Sequence, residues 1–256
     1  MIYTLGMGKC VDPARSPKAV ILAGGYGKRL RPFTDTVPKP LLRVADRPII
    51  EWQIRWLASY GLRSFIVCAG YLKERLVEEL GSGNHLGVRI GYVFESEPLG
   101  TAGALKNAEH LLSGERSFLV LNGDVLTDLN PLRVLEATDG ALAAMAVVPL
   151  PSPYGIVEFD RGTGLVRGFR EKPVLGDHWI NAGVYAFRSE MLEEVPEKGD
   201  LEREVFPRLA ARGQLVAVPF GDCFWKSIDT HKDMEEVDVL LRQKGELLEK
   251  GTYRTA

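Results

Sequence analysis

VILAGGYGKRLRPFTDTVPKP, residues 20–40, runs an apolar strand straight into a glycine turn. The strand is Val20 to Ala23 and the turn is Gly24-Gly25-Tyr26-Gly27. Lys28 and Arg29 follow at once, and Lys39 stands further on between Pro38 and Pro40. A strand that ends in glycines and cations can turn its backbone N–H groups toward phosphate oxygens. The same residues also make an ordinary tight turn with a solvated charged loop, so the turn alone leaves both readings open. The dinucleotide fingerprint GxGxxG fails, because after Gly25 and Gly27 the third glycine position holds Leu30. The Walker A loop fails too: Arg29 follows Gly27-Lys28, and Leu22 occupies the first glycine position. What remains is GGxGxR with a distant Lys-Pro, an order that a plain turn does not need.

The rest of the chain narrows the classes. Its 256 residues suffice for one large α/β domain or two small ones. A net charge of −2 gives no basic field for nucleic acid. Cys10, Cys68 and Cys223 are scattered without a CxxC pair, which fits a reducing cytoplasm and offers no metal site. The four histidines are isolated. No apolar run approaches the ~18 residues that a membrane span needs. Residues 1–17 lack the apolar core of a signal peptide and read as a loose N-terminal extension.

Strand-like and helix-like runs alternate through the first half. Strands are expected at Ala19–Ala23, Ser64–Ala69, Val88–Phe94 and Ser117–Leu121, and helices at Pro48–Tyr60, Leu72–Leu80 and Thr101–Leu112. This order predicts a parallel sheet with helices on both faces, whose ligands sit beyond the carboxyl ends of the strands. Gly24–Arg29 and Asp124 fall at such ends. The second half reads as short strands at Ala141–Leu150, Gly155–Asp160, Leu165–Arg170 and Trp179–Phe187, a mixed or antiparallel extension. Helices return at Ser189–Val195, Leu201–Arg212 and about Thr230–Lys250. No repeat, low-complexity linker or hexapeptide array is present.

Further motifs follow in order: EPLGTAGAL (Glu97–Leu105), LNGDV (Leu121–Val125), Tyr154-Gly155, REKP (Arg170–Pro173) and INAGVY (Ile180–Tyr185). With the opening stretch they resemble the sugar-1-phosphate nucleotidyltransferases, the NDP-sugar pyrophosphorylases, from Lys18 to about Leu241. Each motif alone is weak; the ordered set is specific. The resemblance implies a Rossmann-like, mixed but mainly parallel α/β sheet flanked by helices, with a small sugar-binding β extension. It implies one domain over 18–256: a nucleotide-binding half at 18–140, a sugar-binding half at 141–229 and a C-terminal helix at 230–256. No C-terminal left-handed β-helix is expected.

The resemblance also carries roles to matching positions. Leu22, Ala23, Gly24, Gly25, Gly27, Lys28 and Arg29 would bind the nucleotide, with Glu97, Gly100 and Thr101 at its base and ribose. Gly100 and Thr101 equally suit a helix start, Thr101 being a good N-cap. Gly155, Glu171, Lys172, Asn181 and Gly183 would hold the sugar phosphate. Arg29, Lys39, Asp124 and Lys172 would be catalytic. Asp124 and Asp229 would bind Mg²⁺, which favours carboxylate and phosphate oxygens. Here the chain departs from the family's WxDxGT: Trp225-Lys226-Ser227-Ile228-Asp229-Thr230 has serine at the usual aspartate. Asp229 equally suits a cap for the last helix. Lys28 is a second departure, standing where threonine or serine is usual.

The expected reaction joins an NTP to a sugar 1-phosphate and releases pyrophosphate. The motifs are most similar to mannose-1-phosphate guanylyltransferases. Heptose-1-phosphate guanylyltransferases and glucose-1-phosphate cytidylyl-, thymidylyl- or uridylyltransferases are the alternatives. From another class, a non-catalytic sugar-nucleotide-binding regulator is disfavoured because Arg29, Lys39, Asp124 and Lys172 are all retained. Family members suggest a homodimer or tetramer, and no nucleic-acid or membrane partner is expected.

Overall fold

The computed structural model describes residues 16–250. The extension expected over 1–17 lies outside them but for its last two residues. The elements in chain order begin with β1 (Ala19–Ala23), the short β2 (Arg43–Val44) and β3 (Arg47–Pro48), and α1 (Ile49–Ser59). Next come β4 (Ser64–Ala69), α2 (Lys73–Leu80), β5 (Arg89–Phe94), α3 (Gly100–Asn107), α4 (Glu109–Leu112), β6 (Ser117–Asn122) and β7 (Val125–Thr127). Then follow α5 (Pro131–Glu136), β8 (Ala143–Pro151), β9 (Ile156–Phe159), β10 (Val166–Arg170) and β11 (Val174–Arg188). The chain closes with α6 (Phe206–Ala211), β12 (Leu215–Pro219), β13 (Trp225–Ser227) and α7 (His231–Lys250).

Seven strands form the central sheet in the order β12-β8-β11-β6-β1-β4-β5. β6, β1, β4 and β5 pair in parallel, as do β8 and β12; β11 runs antiparallel to β6 and β8. This is the mixed, mainly parallel sheet expected. β1 is central and apolar on both faces, as a strand covered on both sides must be. Ile21 packs with Val67, Leu119 and α1's Ile50 and Ile54 on one face. Val20, pointing the other way, joins Val120, α3's Leu105 and α6's Leu209. A third cluster packs α7's Val237 and Leu241 on Ile49 and Trp52 of α1 and on Leu30 behind the glycine turn. That cluster seats the start of α7 beside the end of β1.

Several boundaries differ from expectation. The helix expected over Thr101–Leu112 breaks at Ala108 into α3 and α4, and β11 begins at Val174 rather than Trp179. Leu201–Val205 forms a π-helical turn before α6. β12, α5 and the ribbon of β7 with β13 carried no expectation. β12 is an edge strand ending in Pro219, and three-residue strands are too short to show a period. β9 and β10 form the separate antiparallel extension, with Phe159 and Phe169 exposed. Among the described residues no helix is long and apolar enough to cross a membrane, and no left-handed β-helix occurs.

Candidate active site

The carboxyl ends of β1 and β6 open into a cleft of about 320 Å³, within the range of small-molecule sites. Leu22, Ala23, Gly24, Gly25, Lys39, Gly100, Thr101 and Asp124 all line it. Gly25 has no neighbour that a Cβ would touch, so its backbone stays open to the cleft. Gly27 turns the chain back in the left-handed region at φ 60°, and a Cβ there would lie 2.9 Å from Thr34 Cγ2. The one-turn helix that follows, Lys28–Leu30, carries the cations.

Arg29 and Lys39 converge on two carboxylates. Lys39 Nζ lies 2.6 Å from Asp124 Oδ2 and 2.9 Å from Asp229 Oδ1. Arg29 Nη2 reaches the same Asp229 oxygen at 2.7 Å. Asp124 is fixed by the turn between β6 and β7, where Gly123 N–H donates to Leu22 O at 3.0 Å. Asp229 arrives through β13, which pairs with β7, and Ile228 N–H donates to Asp124 O at 2.9 Å. Burial works against ionisation of Asp229. The hydrogen bond and charge of Lys39, the charge of Arg29 and the Ser227 hydroxyl outweigh it, holding the carboxyl below its ordinary value.

Asp229 is not the cap of α7. Thr230 is: its hydroxyl accepts from Asp233 N–H, and Asp233 Oδ2 accepts from Thr230 N–H at 2.8 Å. That reciprocal pair is a capping box, and it leaves the Asp229 side chain free for Lys39. Ser227 donates to Asp229 Oδ2 at 3.1 Å. Lys28 is exposed and lies 5.7 Å from the centre of the Tyr26 ring. Glu97 borders a smaller adjoining hollow and pairs with Lys198 at 3.4 Å.

The start of α3 corrects one expectation. Thr101 lies inside the helix, and Leu99 occupies the cap position without a side-chain bond. The first amides of α3 are satisfied from elsewhere: Gly199 O accepts from Ala102 N–H at 2.9 Å. A Cβ on Gly100, itself at φ 78°, would fall on the Gly199 carbonyl oxygen. The glycines of EPLGTAGAL therefore let another backbone dock as closely as they serve a ligand.

The sugar-side residues divide. Gly155 and Glu171 lie against each other, and Lys172 Nζ stands 3.7 Å from Glu171 Oε1. Among the described residues, no hydrogen bond or ion pair joins these three to Asp124. The Asn181 side chain is committed internally: it donates to Tyr185 Oη and accepts from Gly183 N–H, both at 2.8 Å. Gly183, at φ 70°, packs against Asn122.

Glu95, Asn122 and Asp200 line the cleft and were missed from sequence. Glu95 directly follows the last residue of β5, Phe94, so the strand-end rule would have found it. Burial pushes its carboxyl up, opposed by Leu99 N–H, which donates at 3.3 Å. Asp200 sits in an undistinguished charged run and reaches the cleft only because residues 199–202 dock on α3.

A cleft at the switch between parallel strands, lined by glycine amides with Lys39 and Asp124 and flanked by their partners Asp229 and Arg29, has the chemistry to receive phosphate groups. The family model described as "Nucleotidyl transferase" matches residues 18–244, and the chain belongs to that family. Among curated proteins it is 39% identical over 224 residues to the zebrafish (Danio rerio) mannose-1-phosphate guanylyltransferase catalytic subunit beta. That match covers 84% of this chain and 62% of the relative. The Drosophila melanogaster protein of the same name is 37% identical over 236 residues, covering 88% and 63%. The chain thus spans under two thirds of the length of these relatives. Of solved structures, HddC from Yersinia pseudotuberculosis superposes with a TM-score of 0.71 at 25% identity, covering 88% of this chain and 99% of that one. A Bacillus anthracis putative glucose-1-phosphate thymidylyltransferase gives 0.71 at 24%, covering 89% and 96%.

Proposed function

We propose that this chain transfers a nucleotidyl group from an NTP to a sugar 1-phosphate, releasing pyrophosphate, and that its substrates are GTP and mannose 1-phosphate. The observation that carries the reading is the Lys39 ammonium held between Asp124 and Asp229 at the mouth of a glycine-lined cleft. The names of the relatives support the substrate pair, and residues 18–256 act as one nucleotidyltransferase domain.

The two carboxylates fit Mg²⁺. Lys39 Nζ already stands in as a cation between them. Among the described residues no three His, Cys, Asp or Glu side chains gather, so water and phosphate oxygens complete a set that suits this hard ion. Asp124 and Asp229 would hold it; when bound, it supplies positive charge to the phosphate oxygens.

In the reaction, an oxygen of the sugar phosphate forms a bond to the α-phosphorus as the bond to the leaving pyrophosphate breaks. The nucleophile is already anionic at neutral pH, so no general base is needed, and among the described residues neither histidine nor cysteine lines the cleft. The obstacle is repulsion between two anions. Positioning and charge neutralisation overcome it. The Gly24–Gly27 amides and Arg29 hold the leaving phosphates, Lys39 offsets charge at the α-phosphorus, and Lys172 holds the sugar phosphate. Gly155, Glu171 and Gly183 border the sugar.

Glu95 supports guanine. A carboxylate is an acceptor only, and guanine presents two adjacent donors, its ring N–H and its amino group. Uracil and thymine set one N–H between two carbonyls, which a carboxylate repels. Pyrophosphate release is to be measured with Mg²⁺ across five NTPs and a panel of sugar 1-phosphates. GTP with mannose 1-phosphate should give the highest kcat/KM. A different preferred pair would replace the substrate assignment, and silence with every pair would overturn the function.

A further inference from the structure

The Tyr185 hydroxyl is buried at the centre of a hydrogen-bond chain that touches both halves of the site. A phenol has one proton and two lone pairs. Asn181 Nδ2 donates to it at 2.8 Å. Its own proton is therefore left for Glu202 Oε1, 3.4 Å away. Glu202 Oε2 accepts from Thr101 Oγ1 at 2.7 Å, and the Thr101 hydroxyl accepts Leu201 N–H at 2.8 Å. Only an acceptor at position 202 allows every link to run in this direction.

The chain's ends are informative. Thr101 lines the cleft on α3, in the segment read as facing the nucleotide. Asn122, which packs against Gly183 beside this chain, lines the cleft two residues before Asp124, and its Oδ1 is buried without a partner. Asn181 belongs to β11, on the sugar side. Glu202 is presented by the π-helical turn at Leu201–Val205, a geometry that recurs at functional sites. The segment just before the turn is laced to α3: Gly199 O accepts from Ala102 N–H at 2.9 Å, and Gly199 N–H donates to Leu99 O at 2.8 Å.

We infer that Glu202 is a positioning residue that couples nucleotide binding to sugar-phosphate binding through Thr101 on one side and Tyr185 on the other. The inference rests on the reading that two substrates meet in this cleft. The Tyr185–Glu202 contact is the longest side-chain link, and it tightens as the halves close on both ligands. Glu202 itself touches neither substrate.

The test uses the full chain and its Glu202→Gln, Thr101→Val and Tyr185→Phe variants. The Kd for mannose 1-phosphate is measured by calorimetry with and without a non-reacting GTP analogue, alongside kcat and KM. In the wild type the analogue should tighten sugar-phosphate binding about five- to tenfold, a modest coupling between sites. In the variants that factor should fall toward one and kcat should drop with the circular-dichroism spectrum unchanged, while KM for GTP stays near wild type in Glu202→Gln and Tyr185→Phe, whose side chains do not line the cleft. Glu202→Gln and Thr101→Val alter side chains outside the buried core, so they remain readable if Tyr185→Phe unfolds. No coupling in the wild type, or wild-type coupling in both folded variants, overturns the inference. Absence of pyrophosphate release by the wild type with every pair would instead overturn the underlying function.

Discussion

Asp124 and Asp229, far apart in sequence, share one ammonium: Lys39 Nζ stands 2.6 Å from an oxygen of the first and 2.9 Å from an oxygen of the second. The arrangement is built by the β7–β13 ribbon, which ties the segment after Asp124 to the segment before Asp229. With Arg29 added, two positive and two negative charges meet, so removing any one leaves a partner uncompensated in a partly buried place.

Asp124→Asn and Asp229→Ala should each lower kcat about 100- to 1000-fold, the usual loss when one charge-stabilising contact disappears from a site of this kind. Ser227→Ala removes a single hydrogen bond to Asp229 and should cost about tenfold or less. Steady-state pyrophosphate release with Mg²⁺ measures all three. Equal losses at Ser227 and Asp229, or full activity in Asp229→Ala, would remove Asp229 from the metal-binding pair.

Glu95→Gln tests the base. The amide presents a donor where the carboxylate presented only acceptors, so it should clash with one of guanine's donors. The kcat/KM for GTP should fall by the equivalent of about 1–3 kcal/mol, with a smaller change for UTP. Competition between the two nucleotides in one assay reads the ratio directly. An unchanged ratio means that Glu95 does not read the base.

Much of this site was legible because its parts sit at strand ends. Gly24, Gly25 and Asp124 follow apolar runs whose length and composition mark buried parallel strands. Asp229 was ambiguous in sequence because Asp and Thr both cap helices. The Thr230–Asp233 capping box, a local pair three residues apart, frees it, and it is the contact with Lys39, 190 residues away, that gives its side chain a place in the site. Thr101 misled for the same reason: a threonine after glycine looks like a cap, yet its hydroxyl is spent on Leu201 N–H and Glu202. The docking of residues 199–202 on α3 spans about a hundred residues of sequence separation, and no local pattern encodes it.

Asp128, beyond the cleft at the other end of the ribbon, gives a pH signature. Its carboxyl is pushed up to about 6 by burial, opposed by Phe224 N–H, and Oδ2 has no partner. Between about pH 4 and 6 the folded chain holds a proton that the unfolded chain releases, so this group's contribution to stability falls as pH rises through that window. Asp128→Asn removes the titration. The Tm difference, variant minus wild type, should therefore rise from pH 4 to pH 6 and level off above. A flat difference would show that Asp128 titrates normally.

Gly100→Ala probes the docking itself. The new methyl would strike the Gly199 carbonyl oxygen, a backbone atom that cannot swing aside as a side chain does. Gly100 also sits at φ 78°, where a Cβ costs about 1–2 kcal/mol. Strain and overpacking together should destabilise the fold by about 2–4 kcal/mol. Urea unfolding gives this value from the midpoint. Activity at a temperature where the variant is fully folded should fall too, because displacing residues 199–202 moves Asp200 in the cleft and separates Glu202 from Thr101. Gly25→Ala is the control: its Cβ meets nothing within 4 Å, so the fold should hold while nucleotide binding weakens. Normal stability and normal kcat in Gly100→Ala would show that the segment yields freely and that its contact with α3 does not shape the site.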